Sequence, residues 1–113
     1  MSKTTLREFE SLSRDEELVS KNGLWKATLK NDGKLVISGW KETWESKTCG
    51  SNSSHVAVQP DGNVVLYDNY KSPKWSTDTY VNGANYKCRF ELTDEGNLVL
   101  FKDDVLSWSS ADS

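Results

Sequence analysis

From Leu24 onward one pattern recurs three times, and no other feature restricts the fold so strongly. Each block holds a strand pattern, a five-residue turn built on an acidic residue and Gly, a second strand pattern, a loop, and a Trp among small polar residues. The blocks occupy residues 24–48, 53–79 and 87–110. Their turns read Lys30-Asn31-Asp32-Gly33-Lys34, Gln59-Pro60-Asp61-Gly62-Asn63 and Thr93-Asp94-Glu95-Gly96-Asn97. Strand side chains change face at every residue. Ala27 and Leu29, Val56 and Val58, Phe90 and Leu92 therefore take equivalent inward positions, as do Leu35 and Ile37, Val64 and Leu66, Leu98 and Leu100. Trp44, Trp75 and Trp108 are equivalent too. A single block cannot cover its own apolar face, so the three must close on one another. Short alternating strands spaced by turns predict an all-β domain of pseudo-threefold symmetry, with the three Trp meeting near one axis. Trp25 and Trp40 recur less cleanly and fit either a core or an interface.

Outside the repeat the signal weakens. Residues 1–11 are polar apart from Leu6 and Phe9 and read as a tail or a loosely docked segment, leaving residues 12–113 as one domain. Ser13 followed by Glu16 has the form of a helix cap, but Lys21-Asn22-Gly23 cuts off any apolar stripe, and a strand or turn fits equally well. The net charge of −3 comes without a basic stripe, which argues against non-specific binding to nucleic acid. No apolar run is long enough to span a membrane, so no membrane insertion is expected. The first residues have no apolar signal-peptide core, so the expected location is cytoplasmic, or extracellular (mucus) by an unconventional route. Cys49 and Cys88 allow either a disulfide or two buried thiols. With His55 they fall short of the about four ligands of a structural zinc site, and no metal or cofactor is expected. Catalysis is not expected either. His55 is the only His and has no nucleophile in a recognisable context, and the adjacent pair Asp94-Glu95 at a hairpin tip offers no cleft for two-carboxylate glycoside hydrolysis.

The outward positions carry the functional signal. In the second block they are Gln59, Asp61, Asn63, Val65 and Tyr67: two amides, a carboxylate, a small apolar residue and a phenol. That mixture suits neither a core nor an ordinary charged surface. It suits a small polyhydroxylated ligand, which needs donors, acceptors and one apolar contact.

The spacing Gln59-x-Asp61-x-Asn63-x-Val65-x-Tyr67, with its Trp-Ser-x-x-Thr blocks, resembles the mannose-binding motif of the monocot bulb (snowdrop-type) lectins. Gly39-Trp40-Lys41 and Leu92-Thr93-Asp94-Glu95-Gly96 are similar to the lily-type branch of fish mucus. The resemblance implies a β-prism II of three four-stranded antiparallel sheets around a Trp-lined axis, with one sugar site per sheet. It implies binding of mannose and mannose-rich glycans without metal or catalysis, a part in innate defence, and a homodimer made by exchanging a C-terminal strand that includes Leu106-Ser107-Trp108. By the same analogy Asp61 and Asn63 hold the 2-hydroxyl, Gln59 the 3-hydroxyl and Tyr67 the 4-hydroxyl, with Val65 against the ring edge. The family's frequent disulfide would fall on Gly33 and Ser54 and is therefore absent. The first block has Lys30, Asp32, Lys34, Val36 and Ser38 at the five positions, which makes a dead site. The third has Thr93, Glu95, Asn97, Val99 and Phe101, which makes an inactive or much weaker one. Two eroded copies also leave room for a protein-interaction module on the same fold.

Overall fold

The computed structural model describes residues 3–48 and 50–112. Among them the chain opens with three strands of three residues each, β1 (Thr5–Arg7), β2 (Ser11–Ser13) and β3 (Glu17–Val19). The three blocks follow: β4 (Lys26–Leu29), β5 (Leu35–Ser38) and β6 (Glu42–Glu45), then β7 (His55–Val58), β8 (Val64–Tyr67) and β9 (Pro73–Ser76), then β10 (Cys88–Leu92), β11 (Leu98–Lys102) and β12 (Val105–Ser109). Ser110–Asp112 ends the described chain as one 3-10 turn.

The sheets run β3-β4-β5-β6, β2-β7-β8-β9 and β1-β10-β11-β12, and every neighbouring pair with a register is antiparallel. This is the expected prism of three four-stranded sheets. Each sheet draws three strands from one block and its fourth from the N-terminal segment. In place of the expected tail or loosely docked segment, the described residues 3–11 include β1, and Leu6 is fully buried, 0% exposed, and pairs with Phe90 in the third sheet. Leu6, Leu12 and Leu18 are the central residues of β1, β2 and β3, and each turns into the shared core. The turns joining these strands are two copies of one design. Glu10 N–H donates to Arg7 O and Arg7 N–H to Glu10 Oε1; Glu16 N–H donates to Ser13 O and Ser13 N–H to Glu16 Oε1. The Ser13–Glu16 pattern thus closes a turn between strands and opens no helix.

The inward residues named from the sequence all lie in one core cluster. Trp44, Trp75 and Trp108 meet edge to face, with centroids 5.7, 5.8 and 5.7 Å apart and ring planes at 70°, 74° and 78°. Aromatic rings prefer this geometry because a positive edge meets a negative face. Each Trp stands opposite an inward residue of the middle strand: Trp44 opposite Ile37, Trp75 opposite Leu66, Trp108 opposite Leu100. Immediately beyond each pair the register slips, so all three sheets bulge at the same place. A bulge puts an unpaired residue into the edge strand and bends it. Trp25 packs against the core, and its Nε1–H donates to Asp94 O across to the third block. The third turn lies directly on that ring: Gly96, at φ 84°, would bring a Cβ within 2.6 Å of it. Trp40 is 87% exposed. Cys88 is buried with a free thiol, and its proposed partner Cys49 lies outside the described residues.

Candidate functional site

The second block's turn is held from behind by the chain that leads into β10. Cys88 Sγ lies 3.4 Å from Gln59 O, Tyr86 N–H donates to Pro60 O at 2.8 Å, and Val81 N–H donates to Asp61 O at 2.7 Å. Gly62 sits at φ 91°, and a Cβ there would come within 2.6 Å of the Lys102 side chain and 2.9 Å of the Tyr86 ring. Only glycine meets both demands. Three successive carbonyls, of Gln59, Pro60 and Asp61, are thus engaged by the chain that leads into β10. Burial raises the Cys88 thiol above its ordinary range, so it serves this cradle in its neutral form.

The five sequence-predicted residues form two pairs and a floor. Tyr67 O–H donates to Gln59 Oε1 at 3.1 Å. These residues flank the cross-strand pair Ala57–Val65, so the two long side chains reach over it. Val65 is 4% exposed although it faces outward. His55, opposite Tyr67, stacks on its ring at 5.7 Å and 27°. The other pair is Asp61 and Asn63: Asn63 N–H donates to Asp61 Oδ1 at 3.0 Å. Asn63 Oδ1 accepts from Thr77 Oγ1 at 3.0 Å and from Thr79 N–H at 3.3 Å. The two hydroxyls lie 2.7 Å apart, and Thr79 Oγ1 donates to Gly62 O at 2.6 Å. This clamp fixes the orientation of the Asn63 amide. The other polar atoms of the five residues are two donors, Asn63 Nδ2 and Gln59 Nε2, and two acceptors, Asp61 Oδ2 and the Tyr67 oxygen. Sequence reasoning noted Thr79 in the Trp-Ser-x-x-Thr block but missed the role of Thr77 and Thr79 in holding Asn63. Their signal is the pair of small hydroxyl residues two and four places after the block's Trp, shared with Ser46 and Thr48 of the first block, while the third block keeps only Ser110.

The first block keeps the clamp and loses the face. Leu35 N–H donates to Ser46 Oγ at 2.9 Å, Ser46 and Thr48 share a 2.7 Å bond, and Thr48 Oγ1 reaches Gly33 O. On the outer surface, however, Lys34 Nζ pairs with Glu45 Oε2 at 2.9 Å and Lys30 with Glu42 at 3.4 Å. The Glu45 hydrogen bond raises the pKa of Lys34, so the ammonium persists where the second block has an amide. Val36 stays buried below, and Ser38 has no phenol. In the third block the Arg89 guanidinium covers the Phe101 ring at 4.3 Å. Thr93 Oγ1 accepts from Asn97 N–H, the bond that Asp61 accepts in the second block, so Glu95 no longer braces its turn. The structure brings Val99 and Asn97 to positions equivalent to Val65 and Asn63. Among the described residues no cluster of three or more His, Cys, Asp or Glu has the geometry to hold a metal ion.

No family model matches the chain. It is 39% identical over 101 residues to the B-type lectin plumieribetin of Scorpaena plumieri, covering 89% of this chain and 88% of that protein. Among solved structures it superposes on a monomeric monocot mannose-binding lectin from Gastrodia elata with a TM-score of 0.84. That likeness covers 95% of this chain and 96% of the other at 24% identity, and speaks for the fold alone. The mannose-specific agglutinin of snowdrop (Galanthus nivalis) bulbs, solved with methyl-α-D-mannoside, superposes with a TM-score of 0.76 at 30% identity, covering 87% of this chain and 88% of that one. These relatives are lectins, proteins that bind sugars without transforming them. Sequence identity along nearly the whole chain and the three-sheet prism agree: this chain belongs to the B-type lectin family and has the β-prism II fold.

Proposed function

We propose that the chain binds mannose and mannose-rich glycans through one working site, on the outer face of the second sheet. The observation that carries this reading is the contrast between blocks: the second presents unengaged donors and acceptors where the first presents ion pairs. Asp61 Oδ2 accepts from the axial 2-hydroxyl and Asn63 Nδ2 donates to it. Gln59 Nε2 takes the 3-hydroxyl, the Tyr67 oxygen the 4-hydroxyl, and Val65 meets the ring edge. A hydrogen bond to the Asp61 carboxylate contributes about 1.5–3 kcal/mol. Water competes for every group, so a single site binds at about millimolar Kd, or about 4 kcal/mol.

Working avidity then comes from combining sites. Within the chain β12 pairs with β11, and its Val105 and Leu106 stay exposed. A homodimer formed by exchanging this strand would cover them and join two sites, as binding to mannose-bearing microbial surfaces in defence would require. Sedimentation velocity distinguishes the dimer from the monomer. No helix of the described residues is long and apolar enough to cross a membrane.

Calorimetric titration with methyl α-mannoside tests the site. Wild type is expected to saturate with one site per chain, and Asn63→Ala to lose about tenfold or more in affinity, the equivalent of one good hydrogen bond. Absence of saturable binding at tens of millimolar, on the order of ten times the expected Kd, would refute mannose binding. Full binding by Asn63→Ala would refute the location.

A further inference from the structure

We infer that the sugar site continues past Tyr67 and Gln59 into a second subsite, built on Phe9, that takes the next hexose of an oligosaccharide. The inference rests on the mannose reading above. A groove of about 550 Å³ runs along the β2 side of the second sheet. Gln59 and Tyr67 form one of its walls, and Phe9, Glu10, His55 and Lys71 line the rest. It therefore opens directly off the candidate site.

Phe9 and Lys71 both hold positive φ in this groove, Lys71 at 64°, and Phe9 is the aromatic one of the two. It has φ 71°, in the left-handed region that bulky side chains rarely enter. The next turn of the N-terminal segment shows what this geometry ordinarily takes. There the equivalent residue is Asp15, at φ 68°, and Asp is among the residues that tolerate the region. Burial does not offset the strain at Phe9, because the side chain is 80% exposed. Neither the turn nor the core calls for an aromatic residue here. The backbone nevertheless holds it firmly: Phe9 N–H donates to Val58 O at 2.8 Å and Val58 N–H to Glu10 O at 3.0 Å. The backbone thus places an apolar ring at the rim of a groove that Phe9 shares with Ala57, Pro60 and Tyr67 as well as with Gln59, His55 and Lys71. Strain held in place by its surroundings is characteristic of binding sites.

The groove's chemistry selects the occupant. Glu10 is engaged by Arg7 N–H and Lys3, and so belongs to the framework. His55 lines the groove and shares its Nδ1 with Ser54 Oγ at 2.8 Å, so Nε2 is the ring nitrogen left for a ligand. The Lys71 ammonium forms no ion pair among the described residues. One aromatic face with scattered donors and acceptors matches a pyranose ring, which has an apolar C–H face and a rim of hydroxyls. A purely apolar ligand would leave the Lys71 ammonium and the His55 Nε2 without a polar partner.

Calorimetry with methyl α-mannoside and with α1→2-, α1→3- and α1→6-linked mannobiose tests the subsite, on wild type and on Phe9→Asp. Asp15 shows that the turn accepts this substitution, and an unchanged thermal midpoint verifies it. At least one mannobiose is expected to bind wild type about two- to tenfold tighter than the monosaccharide, the range of one aromatic contact. Phe9→Asp is expected to erase that gain and leave the monosaccharide affinity unchanged. If the monosaccharide binds wild type and no mannobiose gains, or if the gain survives Phe9→Asp, the subsite is refuted and the primary site stands. If wild type binds neither, both fall together.

Discussion

Thr77 shows how one hydroxyl serves both stability and recognition. Its Oγ1 accepts from Val64 N–H at 3.1 Å and donates to the side-chain Oδ1 of Asn63. Thr77→Val keeps the shape but leaves a buried backbone N–H unpaired, which costs about 1–3 kcal/mol. It also frees the Asn63 amide to turn. The expected outcome is a lower denaturation midpoint in urea together with weaker binding of methyl α-mannoside. Asp68, next to Tyr67, acts through charge. Its Oδ1 accepts from Ser72 N–H at 2.9 Å and Tyr70 N–H at 2.8 Å, and Lys74 lies 3.6 Å from its other oxygen. The Ser72 bond first, then Tyr70 and Lys74, hold its pKa below the ordinary carboxylate value. A lowered folded-state pKa contributes stability above the unfolded value, which disappears as pH falls through the folded one. Glu10 is lowered in the same way, chiefly by Arg7 N–H. The thermal midpoint should therefore fall with pH below about 4, and Asp68→Asn should flatten that slope without abolishing it.

Among the elements, the three hairpins are one scaffold with three different outer faces. The first keeps its Ser46–Thr48 clamp, Asp32 and a buried Val36, and lacks only the ligand-facing side chains. The combination Lys30→Gln, Lys34→Asn, Ser38→Tyr and Glu45→Ser removes the 2.9 and 3.4 Å ion pairs and rebuilds the second block's face. Calorimetry on this variant should count two sites per chain, and Lys34→Asn alone should still count one. The hairpins were legible in the sequence because four or five alternating residues beside a Gly turn give a clear period of two. β1, β2 and β3 were not, because three residues carry one inward position each and no alternation. Their signal is instead the six-residue spacing of Leu6, Leu12 and Leu18, with Glu10 and Glu16 closing the turns between them. The five ligand-facing residues could be named from their types and spacing. The Thr77–Thr79 clamp, the bulge beside Tyr67 and the His55 stack could not, since each depends on which strands become neighbours.

Across the whole molecule, one cluster of three tryptophans joins the three sheets. Trp75 touches both Trp44 and Trp108, so Trp75→Ala removes two edge-to-face pairs along with its own burial. A loss of about 3–5 kcal/mol is expected. Tryptophan fluorescence and far-ultraviolet circular dichroism should still report a single transition, because no sheet has a core of its own. Separate transitions by the two probes would show that the sheets unfold one by one.

The N-terminal segment also sets an order of assembly. Leu18 pairs with Ala27, Leu12 with Val56, and Leu6 with Phe90, so the three closures are nested one inside another. A ribosome releases the partners of these leucines in that same sequence. The first sheet can be completed from nearby chain, the second waits for the middle block, and β1 must wait for β10. The outermost loop is the longest, and contacts across long sequence separations form slowly. Leu6, the most deeply covered of the three in the finished protein, is therefore the leucine left longest in water during synthesis, and the closing of β1 onto β10 seals the prism.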